Sequence, residues 1–184
     1  MFYIYILFLI VLLLIIFIGG IAFTLTVIGF SKTEVPFLPI PRKLLPHIAT
    51  ALKLSRTSVL YDLGCGNSIV LRYLLTHSPI TKAIGIEIAP LPYLLATIWD
   101  RLSPLSHLEL RRGDFMETNL HDATHIFLYL FPSVMDNLLP KLTQELTQGT
   151  RVISCDFPFN EKTPKEIIEV TETYFPHKLY VYEF

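Results

Sequence analysis

Three carboxylates stand where an α/β sheet would gather them. Asp62 closes the short apolar run "VLYD" and leads into "LGCGNS"; Glu87 closes "AIGIE"; Asp114 follows "LELRRG". Gly64 and Gly66 let backbone approach a ligand with no Cβ in the way. A helix beginning near Asn67 or Ser68 offers free N–H groups there. Several ligands use such a turn. A phosphate loop needs GxxxxGK followed by Ser or Thr, and no lysine follows these glycines. A dinucleotide turn prefers GxGxxG, but the third position here is Ile69. Asp62, two residues ahead of the first glycine, would face a pyrophosphate badly. It suits a cation better: the ammonium of an amino acid, close to a sulfonium. S-adenosylmethionine carries both.

The other two acids extend this reading. A carboxylate about twenty residues past a glycine turn can accept both ribose hydroxyls, which is the position of Glu87, although dinucleotide sites share it. Asp114 can accept an adenine amino group, with Phe115 packed on the ring. On the acceptor side, "YLFP" follows a fourth strand and "FPF" a fifth. Tyr129, Phe131 and Phe157 are expected to line the acceptor channel there. No general base stands out, so the catalytic residue is left unknown. His121 and His125 are spaced i, i+4 in "HDATH", but this is not HExxH and Thr124 starts a strand; no metal is expected.

The elements that must position these residues alternate from Ser58 onward. Strands are expected at Val59–Asp62, Ala83–Glu87, Leu108–Arg111, Thr124–Tyr129 and Arg151–Asp156, with helices between them. "APLPYLLATIWDRL" puts Leu91, Leu94, Leu95, Ile98 and Leu102 on one stripe of a helix. "PSVMDNLLPKLTQELTQG" starts on proline and serine and puts Val134, Leu138, Leu142 and Leu146 on one face. Pro140 should kink or split it, and Gly149 is a natural C-cap. Alternating strands and helices imply a mostly parallel, doubly wound sheet. The tail "IIEVTETYFPHKLYVYEF" reads as two antiparallel strands around a turn near Phe175–His177.

Upstream, the 184-residue chain opens with thirty residues, Met1 to Phe30, that contain no Asp, Glu, Lys or Arg. A membrane-spanning helix needs about 20 apolar residues. A signal peptide would need a basic start and a shorter apolar run, and a core helix would keep a polar face. A single-pass anchor is expected over residues 1–30. Lys32, Arg42 and Lys43 follow it, which puts the rest of the chain on the cytoplasmic or matrix-equivalent side. "EVPFLPIPRKLLP", with four prolines in thirteen residues, reads as an extended strap leading to a short helix over Arg42–Leu54. Residues 31–57 are the linker and short helix, and residues 58–184, an ordinary domain's length, carry the chemistry. Formal net charge is −1, with no basic block, so no nucleic-acid footprint is expected. Two cysteines, Cys65 and Cys155, do not make a disulfide framework.

"DLGCGNS", "GIEIAP" and "GDF", in this order, resemble the class I S-adenosylmethionine-dependent methyltransferases. With the apolar N-terminus, "PFLPIPRK", "ATHIFLYLFPSVMDNLLPKL" and "GTRVISCDFPF", nearly the whole chain is similar to the membrane-anchored protein-lysine methyltransferases related to the enzymes that modify the ATP synthase c subunit and the adenine nucleotide translocase. The resemblance implies a Rossmann-like fold of seven strands ending in an antiparallel hairpin, S-adenosylmethionine as cofactor, and a lysine side chain of a membrane protein, met at the lipid bilayer, as acceptor. Asp62, Gly64, Cys65, Gly66 and Asn67 would hold the methionine part, Glu87 the ribose, and Asp114 with Phe115 the adenine. The loop departs from the family's usual DLGSGDGR in carrying Asn67 and Ser68. Methylation of a lipid or quinone, a non-catalytic cofactor-binding module and a nicotinamide oxidoreductase are the competing readings.

Overall fold

The computed structural model describes residues 2–32 and 39–184; the first part of the expected strap, residues 34–38, lies outside them. Helix α1 (Phe2–Lys32) is followed by a single helical turn at Arg42–Leu44 and α2 (Leu45–Leu52). The sheet domain runs β1 (Val59–Leu63), α3 (Ile69–His77), β2 (Lys82–Glu87), α4 (Pro90–Leu102), β3 (Leu108–Arg112), β4 (His125–Leu128), α5 (Pro132–Glu145), β5 (Arg151–Cys155), β6 (Glu166–Val170) and β7 (His177–Glu183). The seven strands lie in the order β3-β2-β1-β4-β5-β7-β6. The first five are mutually parallel; β7 pairs antiparallel with both β5 and β6. Strand order reverses between β1 and β4, so the ligand crevice of such a sheet opens at their carboxyl ends.

Alternation along each strand builds two cores. Leu60, Ala83, Phe127 and Ile153 face one side, with Leu45, Ile48 and Leu52 of α2 and Leu71 and Leu74 of α3. Tyr61, Ile84, Ile86, Ile126, Leu128 and Val152 face the other, with Met135, Leu138 and Leu142 of α5. A sheet covered on both faces demands near-continuous apolar strands, which the central strands β1, β4 and β5 are. The short helix expected after the prolines therefore belongs to the same core as the sheet.

Three local expectations need correction. Helix α5 runs unbroken through Pro140. That residue is exposed, and solvent can serve the carbonyl its missing N–H leaves free. The same helix stops at Glu145 rather than at Gly149. Gly149 instead takes a left-handed turn (φ +90°) just before β5 and donates its N–H to the Phe184 carbonyl. The hairpin turn spans the residues between Val170 and His177, slightly earlier than expected.

Helix α4 has the expected stripe but turns it outward. Of its residues only Ala96 is fully buried, while Leu94, Leu95, Ile98, Trp99 and Leu102 are exposed. Asp100 faces Arg72 of α3 at 3.5 Å, and the same guanidinium donates to the Ser103 carbonyl at 2.6 Å, which pins the end of α4 to α3.

Candidate active site at the carboxyl edge of the sheet

Register brings the three acids to one edge. Asp62 sits opposite Gly85 of β2 and Phe127 of β4; Glu87 ends β2 opposite Arg112; Asp114 lies two residues beyond β3. The Gly113 N–H donates to the Glu87 carbonyl at 3.1 Å, which ties the ends of β2 and β3 together.

The glycine turn is folded down onto β2. The N–H groups of Gly64 and Cys65 both donate to the Ile86 carbonyl, at 2.9 and 3.0 Å. Gly66 donates to the Glu87 carboxylate at 2.8 Å, and Ala89 donates to its other oxygen at 2.7 Å. Gly64 and Gly66 have φ of +82° and +56°, conformations that glycine adopts without strain. Close approach of turn and strand also requires Gly85: a Cβ there would lie 2.7 Å from the Cys65 Sγ and 2.8 Å from a Leu71 methyl. Cys65 thus points into the core and packs on Gly85, so any contact with a ligand would be through its backbone. Asn67 accepts a long contact, 3.4 Å, from Ile69 N–H. Ser68 caps α3 at φ +64°, with its hydroxyl buried and unpartnered.

Burial governs the electrostatics. Asp62 is 3% exposed, and no hydrogen bond among the described residues reaches its carboxylate. Desolvation, reinforced by the charge of Glu87, pushes it up to about 8. Burial also raises Glu87, partly offset by the N–H groups of Ala89 and Gly66 that it accepts. Two acids crowded into a buried edge, with no ion-pair partner among the described residues, make a site suited to a cation. Asp114 is half-buried and caps the turn Phe115–Glu117 by accepting from Met116 N–H at 2.8 Å. Phe115 packs against the α5-side core.

Across the switch point the edge changes character. Tyr129 follows β4, Phe131 precedes α5, and Phe157 follows β5. The Phe157 ring stacks on both others, with centroids 6.3 Å from Tyr129 and 5.5 Å from Phe131. The three aromatics named from sequence are therefore brought together. The turn that carries Phe157 was not foreseen. Phe157 N–H donates to the Cys155 carbonyl at 2.8 Å around Asp156, whose φ is +64°, a rare and strained three-residue turn. The Ser154 hydroxyl locks it by donating to the Phe157 carbonyl at 2.6 Å. The Asp156 carboxylate accepts from Lys178 N–H at 3.1 Å and meets His177 Nδ1 at 2.8 Å. Burial, then the nearby charge of Asp156, pushes the Tyr129 phenol up to about 12.

Sequence reasoning gave no role to Asp156 or His177; the acid directly after a fifth strand in "CDFPF" was the available clue. Cys155, Asp156 and His177 have ligand atoms within 4.8 Å of one another. Burial pushes the Cys155 thiol far up, against the thiolate a metal would need. The two histidines of "HDATH" lie apart in role: His121 donates to the Glu145 carbonyl, and His125 sits in β4 beside Thr124.

The chain matches a family profile described as the ANTKMT methyltransferase domain over residues 62–166. It is 32% identical over 151 residues to a protein-lysine N-methyltransferase of Saccharolobus islandicus (strain REY15A), covering 81% of this chain and 93% of that protein. It is 27% identical to the adenine nucleotide translocase lysine N-methyltransferase of Mus musculus and 28% identical to the lysine N-methyltransferase of the ATP synthase c subunit from the same organism, each over 74% of this chain. It spans only 59% and 54% of the length of those two. Among solved structures, an RNA methyltransferase from Salinibacter ruber in complex with S-adenosyl-L-homocysteine superposes with a TM-score of 0.71 at 31% identity, covering 79% of this chain and 93% of that one. The B. subtilis M1A22 tRNA methyltransferase TrmK superposes at 0.66 with 20% identity, over 80% of this chain and 67% of that one, and speaks for the fold alone.

Proposed function

The chain belongs to the ANTKMT family of S-adenosylmethionine-dependent methyltransferases, and from that premise we propose that it is a membrane-anchored enzyme that methylates lysine side chains of a membrane protein. The observation that carries this reading is the pairing of two unlike half-sites across the switch point. Buried acids with no ion-pair partner among the described residues lie at β1 and β2, and a stacked aromatic wall lies at β4 and β5.

The residues present fit the cofactor. Asp62 is a buried carboxylate that accepts no hydrogen bond from the described residues, and an ammonium is the group that would let it ionise. Gly64 and Gly66 give the turn the positive φ that folds it over this edge, and a Cβ on Gly64 would press on Leu130 at 3.0 Å. Glu87, at the end of β2, would take the ribose hydroxyls, with Asp114 and Phe115 beside the adenine. When bound, S-adenosylmethionine supplies a cationic methyl group as electrophile, and the protein's part is position. A lysine reaching the edge beside β4 would pass Tyr129, Phe131 and Phe157. These rings would hold the entering ammonium by cation–π contact and, by excluding water further in, favour release of its proton to solvent at the channel mouth so that the neutral amine goes on. Asp156, on the same turn as Phe157, would set a negative charge at the mouth of that channel and draw the ammonium in.

Helix α1 supports the membrane part of the reading. Its Phe2–Ile21 stretch is apolar for 20 residues with no side chain buried, about 30 Å of helix, the thickness of a bilayer's hydrocarbon core. An anchor there would raise the effective concentration of acceptors in the same membrane.

The test is to incubate membranes from producing cells with the purified full chain and cofactor labelled in its methyl group. Label is expected in protein, on lysine, and to be lost with Asp62→Ala. Label in lipid or quinone alone would replace the acceptor. Label in RNA would align the chain with the Salinibacter ruber structure rather than with the lysine-modifying relatives.

A further inference from the structure

Helix α4 is amphipathic the wrong way round for a helix packed on a sheet. The side facing the sheet carries Ala96, with Asp100 tied to Arg72. The side facing away carries Leu94, Leu95, Ile98, Trp99 and Leu102, between 41% and 78% exposed. At 100° per residue these five form one unbroken stripe. Trp99 is at one margin, and the exposed Arg101 is beside Leu94 at the other. Scattered surface leucines are ordinary; a contiguous stripe of large apolar side chains marks a binding surface.

Its neighbour identifies what covers it. Helix α1 runs beside α4 yet leaves that stripe bare, and the Phe2–Ile21 side chains of α1 are themselves bare on every face. Over 31 residues α1 is about 46 Å long, so a span of about 30 Å leaves about 16 Å at the level of the headgroups. A surface helix lying in that zone turns large apolar residues down into the acyl boundary, with tryptophan and arginine at its margins.

We propose that α4 is a second membrane-contacting element: its outward stripe lies in the bilayer interface next to the foot of α1 and fixes how the domain sits on the membrane. This rests on the reading of α1 as an anchor. A tether alone would not set how the domain faces the membrane. A second contact removes that freedom, and it acts close to the chemistry, because α4 begins three residues after Glu87. The carboxyl edge of the sheet is then held within one helix length of the headgroups, where a lysine at the end of a transmembrane segment would be found.

Trp99 is the only tryptophan in the chain, so the unlabelled protein reports on its own stripe. The full chain is reconstituted into vesicles of phosphatidylcholine and phosphatidylglycerol, with and without bromine on the acyl chains, and floated to verify association. The expected result is loss of Trp99 emission in brominated vesicles together with protection from aqueous iodide. With Leu95→Glu and Ile98→Glu combined, the chain should still float through α1, while lipid quenching falls and iodide gains access. A wild-type chain that floats but whose Trp99 escapes the bromine overturns the proposal. Iodide quenching in that case would put the stripe in water; shielding from both quenchers would put it under α1 or a second copy. A chain that fails to float removes the anchor reading and this inference together.

Discussion

The two halves of the sheet's carboxyl edge are built from opposite materials. From β1 to β3 the edge is polar and buried: Asp62 and Glu87 lie beneath a glycine turn whose N–H groups are spent on Ile86 and on Glu87 itself. From β4 to β7 it is aromatic and half-exposed: three rings stack around a strained turn held by Ser154, His177 and Lys178. The first half suits a ligand of fixed structure that brings its own positive charge. The second suits a flexible, amphipathic chain whose charge must change on the way in. If this division is right, substitutions in one half should move cofactor affinity and leave acceptor KM alone, and the reverse should hold in the other.

The largest effect is expected at Asp62. Replacing it with Ala or Asn removes a charge-assisted hydrogen bond in a desolvated site, which amounts to weakening S-adenosylmethionine binding on the order of 100-fold by titration calorimetry. The same Asp62→Asn change should raise the melting temperature of the ligand-free protein. Its folded pKa, about 8, lies above its ordinary unfolded value of 3.8. The folded chain thus keeps a proton that the unfolded chain has released. Stability of the ligand-free wild type should therefore fall as pH rises from about 4 to about 8. Glu87, shifted upward as well, acts in the same direction. For cofactor binding the sign reverses, since the ammonium needs the ionised acid. Affinity should rise on the order of tenfold from pH 6 to pH 8 and flatten as the ligand's own amine begins to deprotonate. The Asn variant should lose the binding slope and keep only the part of the stability slope that Glu87 contributes. A wild type with flat pH dependence would mean that the acids are not facing the cofactor's amine.

The other half is probed by Phe157→Ala, which deletes the ring that stacks on both Tyr129 and Phe131. Such contacts are worth about 1 kcal/mol beyond area burial. Acceptor KM should rise about tenfold once the lost cation–π contact is added, with the dissociation constant of S-adenosylmethionine unchanged. A matching loss of cofactor affinity would erase the division between the halves. Unchanged acceptor kinetics would leave the aromatic stack as plain core packing.

How much of this could be read from the chain depends on whether a residue's position is set by local pattern or by tertiary contact. Five parallel strands, the closing hairpin and the gathering of Asp62, Glu87 and Asp114 follow from alternation and from acids at strand ends, which are local facts. Two crossover helices, both opening on proline, show where this stops. Helix α5 turns Leu138 and Leu142 to the sheet, as its periodicity suggests, with Met135 buried where Val134 was expected and Leu146 lying beyond the helix; α4 has an equally clear apolar stripe and turns it away. Periodicity marks a face without saying whether protein or lipid will cover it. Asp156 and His177 were missed for a related reason. Their contact joins β5 to the start of β7, twenty-one residues on, and depends on a positive φ that no residue type there announces.

Ser68 tests the polar half at its finest grain. In DLGSGDGR, the pattern that the turn resembles, this position is glycine. The structure gives the physical reason: φ is +64°, a conformation that costs a side-chain-bearing residue about 1–2 kcal/mol. Serine here also leaves a buried hydroxyl without a partner, a further cost of about 1–3 kcal/mol. Against these stands the entropy that glycine loses on folding, about 0.5–1 kcal/mol, and the small void left by the hydroxymethyl group. The favourable terms are the larger, so Ser68→Gly should stabilise the chain by about 1 kcal/mol, a rise of roughly 3 °C in Tm. If the unpaired hydroxyl is merely strained into place, cofactor affinity should stay as it was. If affinity falls instead, that hydroxyl is a ligand group, and the polar half recognises its cofactor with one contact more than the three acids supply.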